Sequence, residues 1–250
     1  MRALAEGNGT VAIKTIARRL ELPASTVHRL LHLLIDQGIV EQVDRNSYRA
    51  GTEFYRLSAL VTGKKGLSEI ALPFMQHVVR QCDEHCLLCA YLPARRQIMI
   101  VATVDASHPL RYVRDKFMPM SVAWGATGRA ILAFLSDDEI RAVHAAGEPS
   151  PATGEPLPPL SKFRAELEAV RRQGFVQSSG QKIPGAVGLA APVFGPDGVI
   201  ASLCATIPQL RYRPEQSGQI STVLIEQARQ LSRALGHLAH VEERRAGGRG

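Results

Sequence analysis

Apolar positions near the start of the chain recur first at helical spacing and then at strand spacing. In "VAIKTIARRLELP", Ile13, Ile16, Ala17 and Leu20 fall at i, i+3, i+4 and i+7 and predict a helix. Pro23 ends that helix and opens the next at its first position. In "PASTVHRLLHLLIDQG", Val27, Leu30, Leu31 and Leu34 form a second apolar seam, while Ser25, Arg29, His32 and Asp36 take the opposite side. Thr26 and Leu33 fall on one flank of this helix and His28 on the other. Gly38 stops it, and "IVEQV", "DRNS" and "YRAG" then read as strand, turn and strand. Two short helices with a tight connection, followed by a small hairpin, make a winged helix-turn-helix over residues 1–51.

"TEFYRLSALVTGKKG" predicts a linking helix over 52–66, and "LSEIALPFMQHVVRQC" an amphipathic helix interrupted only by Pro73. "CLLCAYLP" and "QIMIVATVD" read as strands, "GATGRAILAFL" as a buried helix, and "DDEIRAVHAAG" as a helix with acidic residues in its first turn. The five prolines of "EPSPATGEPLPP" make an irregular surface loop, and "SKFRAELEAVRRQG" a helix with a Ser cap and a Gly stop. "VGLAAPVFGPDGVIASLCATIP" is the clearest hairpin, turning at "GPDG", and one long helix runs from about Glu215 to Glu243. Strands around a hairpin, with helices before and after, predict an α+β domain over 67–250. Its antiparallel sheet is expected to carry helices on one face, and loops over the other face would enclose a small cavity.

With 45% hydrophobic and 21% charged residues, the 250-residue chain can bury a sizeable core. The net charge of +7 suggests a polyanionic partner. Residues 1–66 hold ten Lys/Arg against six Asp/Glu, so about half of the excess sits on the small N-terminal module. Four cysteines give no disulfide framework, "MRALAEGNGT" has no apolar leader, and no apolar run reaches the ~18 residues of a membrane span. The expectation is a reduced, soluble, cytoplasmic protein with no membrane partner.

The polar side of the second helix suits double-stranded DNA. Ser25 and Thr26 at its N-terminus can bond phosphate or base edges, and Arg29, one turn on, can fork onto a guanine. His28 and His32, and Lys14 and Thr15 on the preceding helix, complete that surface; Arg45, Asn46 and Arg49 on the wing can hold the DNA backbone or reach the minor groove. In the larger half, the turn "GATG" opens a helix whose free N–H groups can receive a carboxylate. Cys204 and Thr206 share one strand face, and Trp124 can supply an apolar wall. "CDEHCLLC" raises a rival reading, a thiol- or metal-responsive sensor using Cys82, His85, Cys86 and Cys89. Residues three apart on a strand face opposite sides, however, so Cys86 and Cys89 do not readily share an ion, and no metal or cofactor is expected. The chain has no G-x-S-x-G, P-loop, G-x-G-x-x-G or H-E-x-x-H pattern, and His77, His108 and His144 stand apart, which argues against an enzyme.

"IARRLELPASTVHRLLHLLIDQGIVEQV" resembles the DNA-binding half of the isocitrate lyase regulator (IclR) family of bacterial transcription factors, with "STVHRLL" in the usual wording of its recognition helix. "GATGRAILAFL" and "PGAVGLAAPVFGPDGVIASL" extend the resemblance over nearly the whole chain. The resemblance implies a GAF-like effector-binding domain, operator DNA and a small-molecule effector as partners, and a homodimer or homotetramer. The effector would be a small carboxylate or an aromatic acid. The pocket positions it implies are Ala126, Thr127 and Gly128, Gly188, Cys204 and Thr206. The chain departs from the family pattern in its short first helix, in Gly188 where Cys is common, and in Gln181 where Glu is common; the last two imply a roomier, less anionic pocket.

Overall fold

The change of spacing near Gly38 is a true corner of the chain. Gly38 adopts φ +66°, its amide donates to the Ile35 carbonyl at 2.8 Å and the Ile39 amide donates to Leu34 at 3.0 Å, so the helix closes there and a strand begins. A computed structural model describes residues 1–5, 9–54, 56–57, 66–108, 112 and 115–237. The chain divides into two compact units, Met1–Gly66 and Leu67–Gly250.

The first unit contains α1 (Arg2–Ala5), β1 (Val11–Ala12), α2 (Ile13–Leu20), α3 (Ala24–Ile35), β2 (Val40–Asp44) and β3 (Ser47–Ala50). Ile13, Ile16, Val27, Leu31, Val40 and Tyr48 form its core. Burying side chains such as Val27 and Leu31 is worth roughly 1.5–3 kcal/mol each, which fixes the rotation of α3 and leaves its other face outside. Three details differ from the pattern reading. Val11 and Ala12 are a strand paired with Tyr48 and Ser47, making a three-stranded sheet in the order β1-β3-β2; the Ile13 amide donating to Asn46 ties down the junction. Helix α2 ends before Pro23, at Glu21 in the left-handed region with φ +54°, and Pro23 is the N-cap of α3 rather than its first residue. Leu30 leaves the buried seam and is 41% exposed, beside Leu20 and Leu33 in an apolar depression that the four-residue α1 covers only in part. Of the expected linking helix, residues 52–54 and 56–57 are helical, and 55 and 58–65 lie outside the described residues.

The second unit is built on α4 (Leu67–Cys82), β4 (His85–Leu92), β5 (Gln97–Val104), β6 (Pro119–Ser121), α5 (Gly125–Leu132), α6 (Asp137–Ala145), α7 (Leu160–Gln173), β7 (Val176–Ser179), β8 (Ala186–Gly195), β9 (Gly198–Pro208) and α8 (Ser217–Ala234). The six strands form one antiparallel sheet in the order β6-β5-β4-β9-β8-β7. The expectation of helices on one face is overturned. Helices α4 and α8 cover one side through Met75, Val78, Leu224 and Leu231, which pack on Leu88, Leu189 and Leu203. Helices α5, α6 and α7 cover the other, on Leu87, Cys89, Ile98 and Ala190. Strands β8 and β9 are apolar almost throughout rather than alternating, as a sheet buried on both faces requires.

Smaller differences follow from end chemistry. Helix α7 is capped by Pro159 with no side-chain bond, so the expected Ser cap is absent, whereas Gly174 stops it at φ +77° as expected. Helix α8 starts at Ser217 after a 3-10 turn and closes at Ala234, Gly236 having φ +85°; the expected continuation to Glu243 lies outside the described residues after 237. The proline-rich loop is irregular, but its Ser150 is buried.

A Cβ on Gly51 would lie 2.2 Å from the Gly38 carbonyl oxygen. Gly51→Ala is therefore expected to destabilise the protein by about 1–3 kcal/mol in chemical denaturation followed by circular dichroism, and an unchanged midpoint would mean the hairpin base yields freely.

Candidate functional site

Helix α3 presents Ser25, His28, Arg29, His32 and Asp36 to solvent, with Thr26 half-buried at the edge of the face. The rings of His28 and His32 lie one turn apart, tilted by 48° with their centroids 4.4 Å from each other. The N-cap of α3, Pro23, makes no side-chain cap bond, and the Val27 amide donates to its carbonyl at 3.1 Å. Lys14 is exposed and Thr15 half-buried on α2. At the wing tip Arg45 and Asn46 are exposed; the Asn46 amide donates to Asp44 Oδ1 at 2.9 Å, and Gln42 Nε2 donates to the Arg45 carbonyl at 3.3 Å. Arg49 is held differently from Arg45. Its guanidinium meets Glu41 at 2.8–2.9 Å, and Glu41 also accepts from the Thr52 hydroxyl at 3.0 Å. Those bonds hold the Glu41 carboxyl below its ordinary range, Arg49 contributing most.

In the second unit, α5 lies against the sheet and encloses a cavity of about 50 Å³ with β4, β8, β9 and the loop after β7. Helix α5 is buried on every side because every residue from Gly125 to Leu132 is buried. Two contacts set its distance from its neighbours. Ser202 Oγ on β9 donates to the Thr127 carbonyl at 2.9 Å, and Gly128 rests on the Val122 carbonyl, where a Cβ would come within 2.3 Å of the oxygen. Ala126, Thr127, Gln181, Gly188, Cys204 and Thr206 all line the cavity.

Trp124 and Gly128 do not line it. Trp124 is the extended N-cap of α5, and its indole turns to a groove on the α7 side, where Nε1 donates to the Glu148 carbonyl at 2.8 Å and the Arg129 guanidinium covers the ring at 5.6 Å. Gly128 is a packing position, by the contact just given. The N–H groups of "GATG" are also not all open, since the Ala126 amide donates to Ser178 Oγ at 2.8 Å.

Among the lining residues that sequence reasoning missed, Ser178 and Lys182 carry a hydroxyl and a charge. Lys182 Nζ donates to the Ser121 carbonyl at 2.8 Å, and its charge reaches the Cys89 and Cys204 thiols. Both missed residues sit on short or irregular backbone, a four-residue strand and the "GQKIPG" loop, where no periodicity speaks. The available signal was a cation between Gly180 and Gly185, both in the left-handed region, just ahead of an apolar hairpin. The loop is tied back by Ser150 Oγ, which donates to the Gln181 carbonyl at 2.5 Å. Cys204 Sγ lies 3.8 Å from Thr206 Oγ1, and burial pushes the Cys204 thiol up to about 12.

The cysteine-rich stretch separates as strand geometry requires. Cys86 joins the core on the α4–α8 side, and Cys89 the core on the α5 side, both fully buried. Burial raises the thiols of Cys82 and Cys89 to about 11 and that of Cys86 well above its ordinary value. Among the described residues no three His, Cys, Asp or Glu side chains converge as metal ligands, and the sensor reading gains no support. None of the described helices is long and apolar enough to cross a membrane.

Comparison with known proteins matches both units. Residues 1–44 match the IclR helix-turn-helix domain, and residues 59–233 match the bacterial transcriptional regulator IclR C-terminal family. Transcriptional repressor IclR of Escherichia coli is 23% identical over 236 residues, spanning 93% of this chain and 86% of its own. The HTH-type transcriptional regulator TtgV of Pseudomonas putida is 25% identical over 244 residues, spanning 94% and 88%. An IclR transcriptional regulator from Alicyclobacillus acidocaldarius shares the fold with a TM-score of 0.77 at 21% identity, covering 93% of this chain and 94% of that one. An IclR homolog from Microbacterium hydrocarbonoxydans, solved with 4-hydroxybenzoate, has a TM-score of 0.75 at 22% identity, covering 92% and 93%. With a winged helix-turn-helix in one unit, a curled antiparallel sheet in the other, and family matches over both, the chain belongs to the IclR family of bacterial transcriptional regulators.

Proposed function

We propose that this regulator reads double-stranded operator DNA with the outer face of α3 and with the wing, and that a small carboxylate in the α5 cavity shifts its affinity for that DNA. The observation that carries the first half is the rotation of α3: Val27 and Leu31 are buried, which leaves Ser25, His28, Arg29 and His32 together on a bare polar surface. Arg29 forks onto a base edge, while Ser25, Thr26, Lys14 and Thr15 hold phosphates nearby. At the wing, Arg45 and Asn46 reach the backbone, and Arg49, through Glu41, stiffens the hairpin that carries them. One winged helix spans a single half-site, so two chains on a symmetric operator, as a homodimer or homotetramer, supply the specificity. Such a protein works in the cytoplasm, where the chromosome is.

The cavity's chemistry supports the second half. Lys182 supplies a positive charge, Ser178, Thr127 and Thr206 supply hydroxyls, and Gly188 leaves room beside Cys204. Volume favours one of the two effector classes. A cavity of about 150 Å³ suits a benzene ring, and this one is about 50 Å³, so a short carboxylate fits better than an aromatic acid. Catalysis is not part of the proposal: the relatives are transcriptional regulators, and the buried Cys204 thiol has a hydroxyl beside it, not a base.

Arg29→Ala is expected to cost on the order of 1–3 kcal/mol at one operator base and to relax specificity there, read by footprinting and by fluorescence anisotropy. Arg45→Ala should weaken binding to all sequences alike and flatten the salt dependence; an unchanged salt slope would take Arg45 off the DNA. Lys182→Gln and Thr206→Val are expected to remove the thermal stabilisation that short carboxylates give the intact protein while leaving ligand-free DNA binding in place. A carboxylate at about 100 times its dissociation constant adds ~2.7 kcal/mol, so the loss is measurable, and DNA binding lost along with it would mark a structural role instead. With burial raising Cys89 to about 11 and Cys204 to about 12, roughly one part in a thousand of the first and one in ten thousand of the second is thiolate at pH 8, so iodoacetamide should label Cys89 and Cys204 only after denaturation. Rapid labelling of the native protein would revive the sensor reading.

A further inference from the structure

Past the short strand β7, one edge of the sheet has no strand beside it among the described residues. β7 pairs with β8 only from Val187 to Ala190, so Ala191 to Gly195 lie beyond its reach. An antiparallel strand points alternate amides to each side, so the amides on this side come from positions 190, 192 and 194. Position 192 is proline, which has no N–H, and the Phe194 amide donates to Ser232 Oγ at 2.9 Å. Ser232 in turn donates to the Ala228 carbonyl at 2.7 Å. This edge therefore offers a further strand no amide beyond Ala190, and a peptide is a poor occupant for the space beside it.

That space is a cavity of about 310 Å³ between the edge of β8 and α8. Phe134, Pro192, Phe194 and Ile225 form its walls, and Arg229, Arg233 and His237 stand at its rim. The rings of Phe134 and Phe194 meet edge to face at 5.0 Å, and His237 stacks on Phe194 at 5.2 Å. His237 Nδ1 lies 3.1 Å from the Gly195 carbonyl, which fixes the ring in place. Arg229 is paired with Glu226 at 2.5 Å, and Arg233 adds a second, exposed guanidinium. Aromatic walls with a cationic rim fit a molecule that is apolar at one end and anionic at the other. The volume, about twice that needed by a benzene ring, fits a single ring or a medium acyl chain.

We propose that this cavity is a second small-molecule site, distinct from the α5 cavity, for an aromatic or medium-chain carboxylate. Its apolar part lies on Phe134, Phe194 and Ile225, and its carboxylate meets Arg233 and Arg229. The site goes beyond the effector reading above, which assigns a short carboxylate to a different place.

Isothermal titration of the full chain with benzoate, using benzamide as the uncharged control, tests it. The expected result is saturable benzoate binding about tenfold tighter than benzamide. Arg233→Glu should weaken benzoate by about tenfold or more and spare benzamide, because only the charged probe uses the rim. Ile225→Trp should remove both probes by filling the cavity, and Gly188→Val, which fills the α5 cavity instead, should change neither. Benzoate binding that is lost with Gly188→Val yet survives Arg233→Glu would place the probe in the α5 cavity and overturn the proposal. Equal affinity for the two probes, or no saturation by about 10 mM, would overturn it as well. Arg233 is exposed, so its variant keeps the test decisive even if Ile225→Trp fails to fold.

Discussion

The close seating of α5 governs the larger unit. A helix buried on every side must be enclosed, and this one is enclosed because Gly128 lets it approach the Val122 carbonyl and because Ser202 holds Thr127 from the sheet. The cavity, its lining and the buried Arg129 all follow from that seat. Arg129 lies within 5.3–5.6 Å of the Trp124 and Phe163 rings and meets Glu166 at 2.6 Å, so a charge is buried here only with aromatic faces and a carboxylate around it. Moving α5 outward would open the cavity and strip that cation of its partners together. The small cavity and the buried cation are two results of one packing decision.

Most of the fold was legible because its long elements carry strong periodicity. The helices around Met75, Leu167 and Leu224, and the hairpin of β8 and β9, are long enough for their patterns to be unambiguous. What was missed is short or set by tertiary contact. β1, β6 and β7 have two to four residues each, too few for an alternation to show. The two-faced covering of the sheet is written in the nearly unbroken apolar runs of β8 and β9, a signal that reading them as a hairpin alone left unused. Glu21 in the left-handed region is a conformation that residue type rarely adopts, so no local rule would have ended α2 there.

The candidate sites divide along the same line. Side chains on regular elements, such as Arg29 on α3 or Cys204 and Thr206 on β9, could be placed by counting residues. Lys182 and Ser178 could not, because a loop between two left-handed glycines and a four-residue strand give no phase to count from. Trp124 fails for a related reason. It is the extended N-cap of α5, so helical spacing gives no phase from which to aim its side chain.

The proline-rich loop has a consequence of its own. Each proline restricts the unfolded chain in advance, so holding residues 148–159 in one shape sacrifices less freedom than an ordinary loop of that length would. Through Ser150 this stiff segment grips Gln181, one residue from the cation at the cavity. A wall anchored in that way resists reshaping around a guest. Any molecule entering there would be sorted by how well its outline already matches a wall fixed in advance.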